Sequence, residues 1–333
     1  MNTPTKAAAE IAISTLSARA PHAQSLANAF AKAGFRLALV GGPVRDAILG
    51  KLSTDLDFTT NARPEDTKKI LNLWADSIWD TGIQFGTVAG KKDDITVEVT
   101  TYRSEKYDVN SRKPEVNFGD DIVGDLARRD FTVNAMALEL TTKEPEFIDP
   151  FDGVMDLAKK VLRTPRKAEE LFTDDPLRMM RAARFASQLK FDVDPTIITA
   201  IENMADRISI VSAERVRDEF IKILMSDNPR IGITMMVDTG LADLVIPEIP
   251  KLRLEVDEHH HHKDVYEHSL MVLEQAMADE ERLGGPNLII RLTALLHDIG
   301  KPKTRELIPG GGVSFHHHEV VGARLTKERL RKM

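Results

Sequence analysis

Two carboxylates stand two residues apart in Asp55-Leu56-Asp57-Phe58, inside the stretch STDLDF (53–58). If this run is a strand, residues i and i+2 share a face, so Asp55 and Asp57 stand side by side while Leu56 and Phe58 turn to the core. Two like charges at that spacing repel, and neither has an evident partner nearby in the sequence. An exposed edge, where charge discourages pairing with other chains, accounts for such a pair. A divalent metal between the carboxylates accounts for it equally well. Upstream, Gly41-Gly42 lets the backbone approach a ligand closely, and the helix start at Pro43 offers N–H groups to an anion. Arg45 sits in the first turn, where the helix dipole disfavours a lone cation, and a phosphate partner would explain it. With the Asp pair 14 to 16 residues downstream, these residues describe a triphosphate site holding Mg2+, because carboxylate and phosphate oxygens are the hard ligands that ion prefers. Two such metals can activate an attacking hydroxyl and stabilise a leaving pyrophosphate. Glu98, between Val97 and Val99, is a candidate third carboxylate; an outward polar residue on a half-buried strand is the plain alternative.

The elements that must hold these groups can be read from pattern. Residues 6–33 are alanine-rich and read as one helix. Residues 36–40, RLALV, read as a strand ended by the glycine pair, and PVRDAILG as a short helix with proline at its start and glycine at its end. STDLDFTT is a second strand, and Pro64 opens a helix to about Ala75. GIQFGTVAGKKDDITVEVTTYR alternates and reads as a hairpin turning near Lys92-Asp93-Asp94. Residues 104–121 are polar without period and read as a loop, and a helix or strand follows Phe131 before the turn-rich IDPFDG. From about residue 155 the period becomes 3.6 and strands are expected to vanish, with helices over DDPLRMMRAARFASQL, 195–206, 212–226, 229–240, 264–282 and 286–299. The gap EIPKLRLEVDEHHHHKD is a plausible boundary. The reading is an α+β head of about 150 residues and a helical remainder.

Composition narrows the class. A chain of 333 residues with 42% hydrophobic content suits two or three domains with packed cores. No stretch approaches 18 apolar residues, so no membrane span is implied, and the N-terminus lacks the pattern of a secretory signal. The absence of cysteine excludes disulfides and thiolate zinc sites, and a reducing cytoplasm is the simplest location. The net charge of −7 decides little, because nine Lys and Arg residues lie between Lys159 and Lys190 and could gather on an RNA-binding surface.

GGPVRDAILG (41–50) followed by TDLDF (54–58) resembles the active-site motif of the class II tRNA nucleotidyltransferase (CCA-adding enzyme) and bacterial poly(A) polymerase family, one of the DNA polymerase beta-like nucleotidyltransferases. RRDFTVNAMA (128–137) is similar to that family's ribose motif, DDPLRMMRAARF (174–185) to its nucleotide-base motif, and AERVRDEF (213–220) to a later helix motif. The order is the family's. The resemblance implies a nucleotidyltransferase head, a small mixed or antiparallel sheet with helices, over 1–150, and an all-helical neck and body over 151–255. It assigns Asp130 and Asn134 to sugar hydroxyls and Arg129 to phosphate. Asp175 and Arg178, i and i+3 neighbours, form by default a local ion pair, with Thr173 or Asp174 capping the helix. The resemblance instead implies that they match the Watson–Crick edge of cytosine or adenine. Arg181 and Arg184 continue the stripe toward tRNA or triphosphate, or are solvated helix charges. Residues 101–116 resemble a flexible loop that helps switch from CTP to ATP; here Asn110 stands two residues before Arg112 where the family usually has aspartate, and the nearest one is Asp108.

The histidines suggest a second site. His268 and His297-Asp298 lie on successive helical segments, where imidazole and carboxylate can converge on a divalent metal. They resemble the first three ligands of the HD superfamily of metal-dependent phosphohydrolases, which implies a partial HD domain over 256–333. Its last aspartate, and part of the tRNA-binding surface, are expected beyond Met333. His316 and His318 could join or line this site, and His259 to His262 read as native sequence.

The expected function is template-independent addition of CCA to tRNA 3′ ends from CTP and ATP, with Asp55 and Asp57 holding Mg2+. Poly(A) polymerase and partial CC- or A-adding activity share every motif. The appended HD segment favours CCA addition, as does the lack of an arginine-rich stretch in GTVAGKKDD. A phosphohydrolase working through the HD site, with an RNA-binding head, is the alternative of another class.

Overall fold

The computed structural model describes residues 3–52, 54–106, 115–119, 121–253, 264–309 and 313–333, in two compact units, Met1–Asp174 and Asp175–Met333. Asp108, Arg112 and His259 to His262 lie outside the described residues. In the first unit, α1 (Thr3–Arg19) and α2 (His22–Lys32) replace the single helix expected over 6–33. The break falls at Pro21, which lacks an N–H and restricts the residue before it. Then come β1 (Leu37–Val40), α3 (Gly42–Ile48), β2 (Asp55–Thr60), α4 (Pro64–Trp74), β3 (Ser77–Trp79), β4 (Thr87–Lys92) and β5 (Ile95–Thr101). β4 and β5 form the expected hairpin, turning at Asp93 with φ +51°.

β6 (Arg103–Lys106) and β7 (Glu115–Phe118) pair antiparallel inside the region read as a loop. Their four residues each, mostly polar, are too few to display a period of two. The unit continues through α5 (Ile122–Ala127), β8 (Ala137–Glu139), β9 (Glu146–Ile148), α6 (Gly153–Lys159) and α7 (Ala168–Asp174). The main sheet is mixed, with order β3-β4-β5-β2-β1-β8-β9; β2 and β5 run parallel and the other neighbours antiparallel. The α+β reading of this part holds.

One face of the sheet packs Leu39, Leu56, Phe58, Val88, Val97, Val99 and Leu138 against Leu26 and Phe30 of α2 and Leu71 of α4. This is where the strong hydrophobic signal of the strands is spent. The opposite face keeps a smaller cluster of Val40, Tyr102, Leu126 and Ala137 and leaves room for charge.

In the second unit, α8 (Leu177–Leu189), α9 (Pro195–Met204), α10 (Ala213–Leu224), α11 (Pro229–Asp238) and α12 (Leu241–Val245) precede α13 (Val265–Ala278), α14 (Leu288–Leu296), α15 (Lys301–Thr304) and α16 (His318–Lys332). The helices expected from period lie here. Strands do not vanish after residue 155: two-residue strands occur at Val161–Leu162 in the first unit and at Asp192–Val193, Glu306–Leu307 and Val313–Ser314 in the second, too short to leave a pattern in sequence. Buried Arg291 ties α14 to the end of α10. Its Nε and Nη2 donate to Glu280 (2.7 and 2.6 Å), and Nη1 donates to the carbonyls of Leu224 and Ser226 (2.8 and 2.7 Å). Four of the five N–H groups of that buried guanidinium thus have an acceptor. Among the described residues, no helix is long and apolar enough to cross a membrane.

Close approach of α11 to α8 depends on Gly232. A Cβ there would lie 2.4 Å from Ser187 Oγ and 2.7 Å from the Ala183 carbonyl. Gly232→Ala is predicted to destabilise the protein by about 3 kcal/mol, the upper end for overpacking, measured as a lowered urea midpoint; an unchanged midpoint would contradict this packing.

Candidate active site and a second candidate metal centre

The register of β2 against β5 builds a carboxylate face. Asp57 stands opposite Glu98, and Asp55 opposite Thr96. Asp55, Asp57 and Glu98 are exposed, whereas Leu56, Phe58, Val97 and Val99 are buried. Residues paired across neighbouring strands share a face, so the alternation expected for STDLDF is realised and Glu98 joins it. Partial desolvation, then the charges of Asp57 and Asp55, hold the Glu98 carboxyl above its ordinary value. A set of oxygen donors that repel one another in this way suits a divalent cation.

The glycine turn lies at the end of β1. Gly41 has φ +73°, a conformation other residues rarely adopt. A Cβ on Gly41 would lie 2.8 Å from Arg129 Nη1, and one on Gly42 3.5 Å from Arg45 Nη2. Two guanidinium groups therefore rest on the two glycines. Arg45 is buried; its Nη1 donates to Asn134 Oδ1 (2.5 Å) and its Nε to Asp46 Oδ1 (2.9 Å). Asn134 Nδ2 in turn donates to Asp130 Oδ1 (3.0 Å), which also accepts from the Phe131 N–H (2.9 Å).

Asp125, one helical turn earlier on α5, anchors both arginines. Arg128 Nη2 donates to its Oδ1 (2.7 Å) and Arg129 Nη2 to its Oδ2 (3.4 Å). Burial pushes the Asp125 carboxyl up, but the Arg128 and Arg129 charges and the Arg128 hydrogen bond prevail and hold it below its ordinary value.

Thr173 and Asp174, expected as caps of α8, lie in α7, the last helix of the first unit. Thr173 Oγ1 donates to the Glu169 carbonyl (2.8 Å), and Asp174 accepts from Arg166 (2.7 Å). The cap comes from Asp175, whose Oδ1 accepts from the Leu177 N–H (3.1 Å) because Pro176 has none to offer. Asp175 Oδ2 accepts from Arg215 Nη2 (2.9 Å) of α10. Arg178, in the first turn of α8, is buried. Arg181 and Arg184 both lie over the Phe185 ring, and Arg184 Nε is 3.2 Å from Glu219 Oε2.

Among the described residues, His268, His297 and Asp298 bring three ligand atoms within 4.8 Å of one another. His297 Nδ1 donates to the Ala294 carbonyl (2.9 Å), which orients the ring so that Nε2 faces His268 Nε2 (3.3 Å) and Asp298 Oδ2 (3.1 Å). The Asp298 hydrogen bond raises the His297 pKa. For Asp298, burial acts upward, but hydrogen bonds from His297 and Lys301 take it down to about 2. A carboxylate kept ionised between two imidazoles fits a divalent metal. His318 Nε2 stands 3.5 Å from Asp298 Oδ1, while His316 is exposed.

Residues 37–163 match the model of the poly A polymerase head domain, 190–252 that of a probable RNA- and SrmB-binding site of polymerase A, and 265–333 the HD domain. The chain belongs to the tRNA nucleotidyltransferase and poly(A) polymerase family. Among its relatives in the family, the CCA-adding enzyme of Lactobacillus johnsonii is 39% identical over 223 residues, 67% of this chain and 53% of the relative. That of Streptococcus pyogenes is 42% identical over 207 residues, 62% of this chain and 50% of the relative. The chain spans about half the length of the curated relatives it matches. A solved CCA-adding enzyme in an apo form shares the fold with a TM-score of 0.67 at 24% identity, over 85% of this chain and 66% of that chain. The Bacillus stearothermophilus CCA-adding enzyme in complex with CTP gives 0.58 at 25% identity, over 100% of this chain and 82% of that chain.

Sequence reasoning missed Asp125, Asp46, Arg215 and Lys301. Asp125 precedes Arg128 and Arg129 by one helical turn, a spacing that could have flagged it. Arg215 lies in AERVRDEF, but its reach to Asp175 spans 40 residues and leaves no local trace.

Asp125→Ala is predicted to cost about 3 kcal/mol, the range for uncovering buried charge. Because its carboxyl is held low in the fold, Asp125 stabilises the protein above about pH 4 and that contribution is lost as pH falls. Urea midpoints of wild type and variant should therefore draw together as pH falls below about 4; a gap as wide at about pH 3 as at about pH 7 would refute the charge account. Gly300→Ala would place a Cβ 2.0 Å from the His318 carbonyl and 2.7 Å from the Gly322 nitrogen. It is predicted to displace α16 and weaken Mn2+ binding at the histidine centre about tenfold in calorimetric titration; unchanged binding would show that α16 does not shape that centre.

Proposed function

We propose that the chain is a CCA-adding tRNA nucleotidyltransferase that uses CTP, ATP and Mg2+ to extend the tRNA 3′ end without a nucleic-acid template. The observation that carries this reading is the face formed by Asp55, Asp57 and Glu98 together with the glycine turn on which Arg45 and Arg129 rest. A divalent cation held by Asp55 and Asp57, with Glu98 beside them, would activate the attacking hydroxyl and neutralise the departing pyrophosphate. The RNA 3′-oxygen forms a bond to the α-phosphorus of the nucleotide, and the bond from that phosphorus to the bridging oxygen of pyrophosphate breaks. Arg129 and Arg45 hold the triphosphate at Gly41-Gly42, where the lack of side chains lets phosphate oxygens come close to the guanidinium groups.

Asp130 accepts from a ribose hydroxyl. Asp175 accepts from the exocyclic amino group of cytosine or adenine, and Arg178 donates to the adjoining ring acceptor, so that side chains do the work of a template base. Asp175 enters this task with its carboxylate already oriented by Leu177 and Arg215. Arg181 and Arg184 present positive charge along the same helix for RNA phosphates, and Asp108 and Arg112 belong to the loop that exchanges CTP for ATP. In this reading 1–150 form the catalytic head, 151–255 the neck and body, and 256–333 an HD segment carrying a second divalent metal on His268, His297 and Asp298. The reading of another class assigns the main activity to that centre, as a metal-dependent phosphohydrolase whose head only binds RNA.

Labelled CTP and ATP are supplied to tRNA transcripts ending before CCA, after the first C and after CC. The expected result is ordered addition of C, C and A, reduced at least a thousandfold in Asp57→Ala and retained in His297→Ala. Tailing with ATP alone would move the assignment to poly(A) or A-adding activity. Loss in His297→Ala with retention in Asp57→Ala would assign the main activity to the HD centre.

A further inference from the structure

Asn134 lies buried in the turn after Phe131, its N–H donating to the Phe131 carbonyl (2.9 Å). Both ends of its side-chain amide are engaged. The oxygen accepts from Arg45 Nη1 at 2.5 Å, and the nitrogen donates to Asp130 Oδ1 at 3.0 Å. The chemistry of the partners fixes this orientation, because a guanidinium only donates and an ionised carboxylate only accepts. A flipped amide would set donor against donor and acceptor against acceptor. The two partners have different tasks in the proposed reaction. Arg45 rests against Gly42 at the phosphate turn, and Asp130 is the ribose carboxylate. A primary amide is the short side chain that serves a cation with one end and an anion with the other.

We propose that Asn134 is a positioning residue that couples phosphate binding to ribose recognition, holding Arg45 against the glycine turn and Asp130 toward the sugar, and that it acts through these two groups rather than by touching the nucleotide. The inference rests on the nucleotide-transfer reading above and deepens it. It divides the consequences of substitution by end. Removing the side chain removes both supports. Replacing it with aspartate, nearly the same shape, keeps an acceptor for Arg45 but turns a like charge on Asp130.

The test is equilibrium binding, with Mg2+, of CTP, dCTP and inorganic triphosphate, which has no ribose, to wild type, Asn134→Ala and Asn134→Asp. Asn134→Ala is expected to weaken inorganic triphosphate about tenfold and to cut the preference for CTP over dCTP about tenfold. Asn134→Asp is expected to keep triphosphate affinity within about twofold of wild type while losing the ribose preference as fully. A merely structural role would weaken all three ligands together in both variants, and a direct sugar contact would leave triphosphate binding unchanged in Asn134→Ala; either result overturns the inference. Wild-type protein that binds neither CTP nor triphosphate overturns the nucleotide reading and this inference with it.

Discussion

Carboxylates on neighbouring strands are held together here by backbone hydrogen bonds rather than by any liking for one another. The parallel pairing of β2 and β5 puts Glu98 opposite Asp57, and the pleat puts Asp55 on the same face. The strands cannot slip by one residue to relieve the repulsion, because Leu56, Phe58, Val97 and Val99 would then leave the core on the other face. Hydrophobic burial on one side thus enforces electrostatic crowding on the other; partial desolvation first, and then the charges of Asp57 and Asp55, raise the Glu98 carboxyl. A cation supplied from solution can release that stored repulsion, which ties metal affinity to the register of two strands.

Beside this acidic face, the cationic groups are arranged by a different device. Arg45, Arg128 and Arg129 are steered by Asp46, Asn134 and Asp125, so each guanidinium is oriented before any anion arrives. Preorientation of this kind avoids the entropic cost of ordering long side chains during binding. In the second unit the same principle recurs at Asp175, fixed by the cap of α8 and by Arg215. The HD centre follows it too, with His297 oriented through the Ala294 carbonyl. The chemistry-bearing side chains are in this sense the outer layer of a network whose inner layer is structural.

Much of this could be read in the sequence. The same-face Asp pair follows from a period of two, the strand–glycine–helix order from Leu37 to Ile48 from local turn chemistry, and the helices after residue 175 from a period of 3.6. What could not be read follows from range and length. The register that brings Glu98 to Asp57, the reach of Arg215 to Asp175 and of Arg45 to Asn134, and the contact of His318 with Asp298 join residues far apart in the chain, and no local pattern encodes such pairs. The break at Pro21 had a local signal that the alanine-rich composition masked. The β6–β7 pair had none, since its strands are short and polar.

The most direct measurement is the titration of the Glu98 carboxyl by carbon-13 NMR, with and without Mg2+, in wild type and Asp57→Asn. The account predicts that without the metal Glu98 titrates above the ordinary glutamate range in wild type, and falls toward it when Mg2+ is added or when Asp57 loses its charge. A Glu98 that titrates in the ordinary range and ignores both Mg2+ and the substitution would contradict the claim that β2 and β5 build a metal-binding carboxylate face.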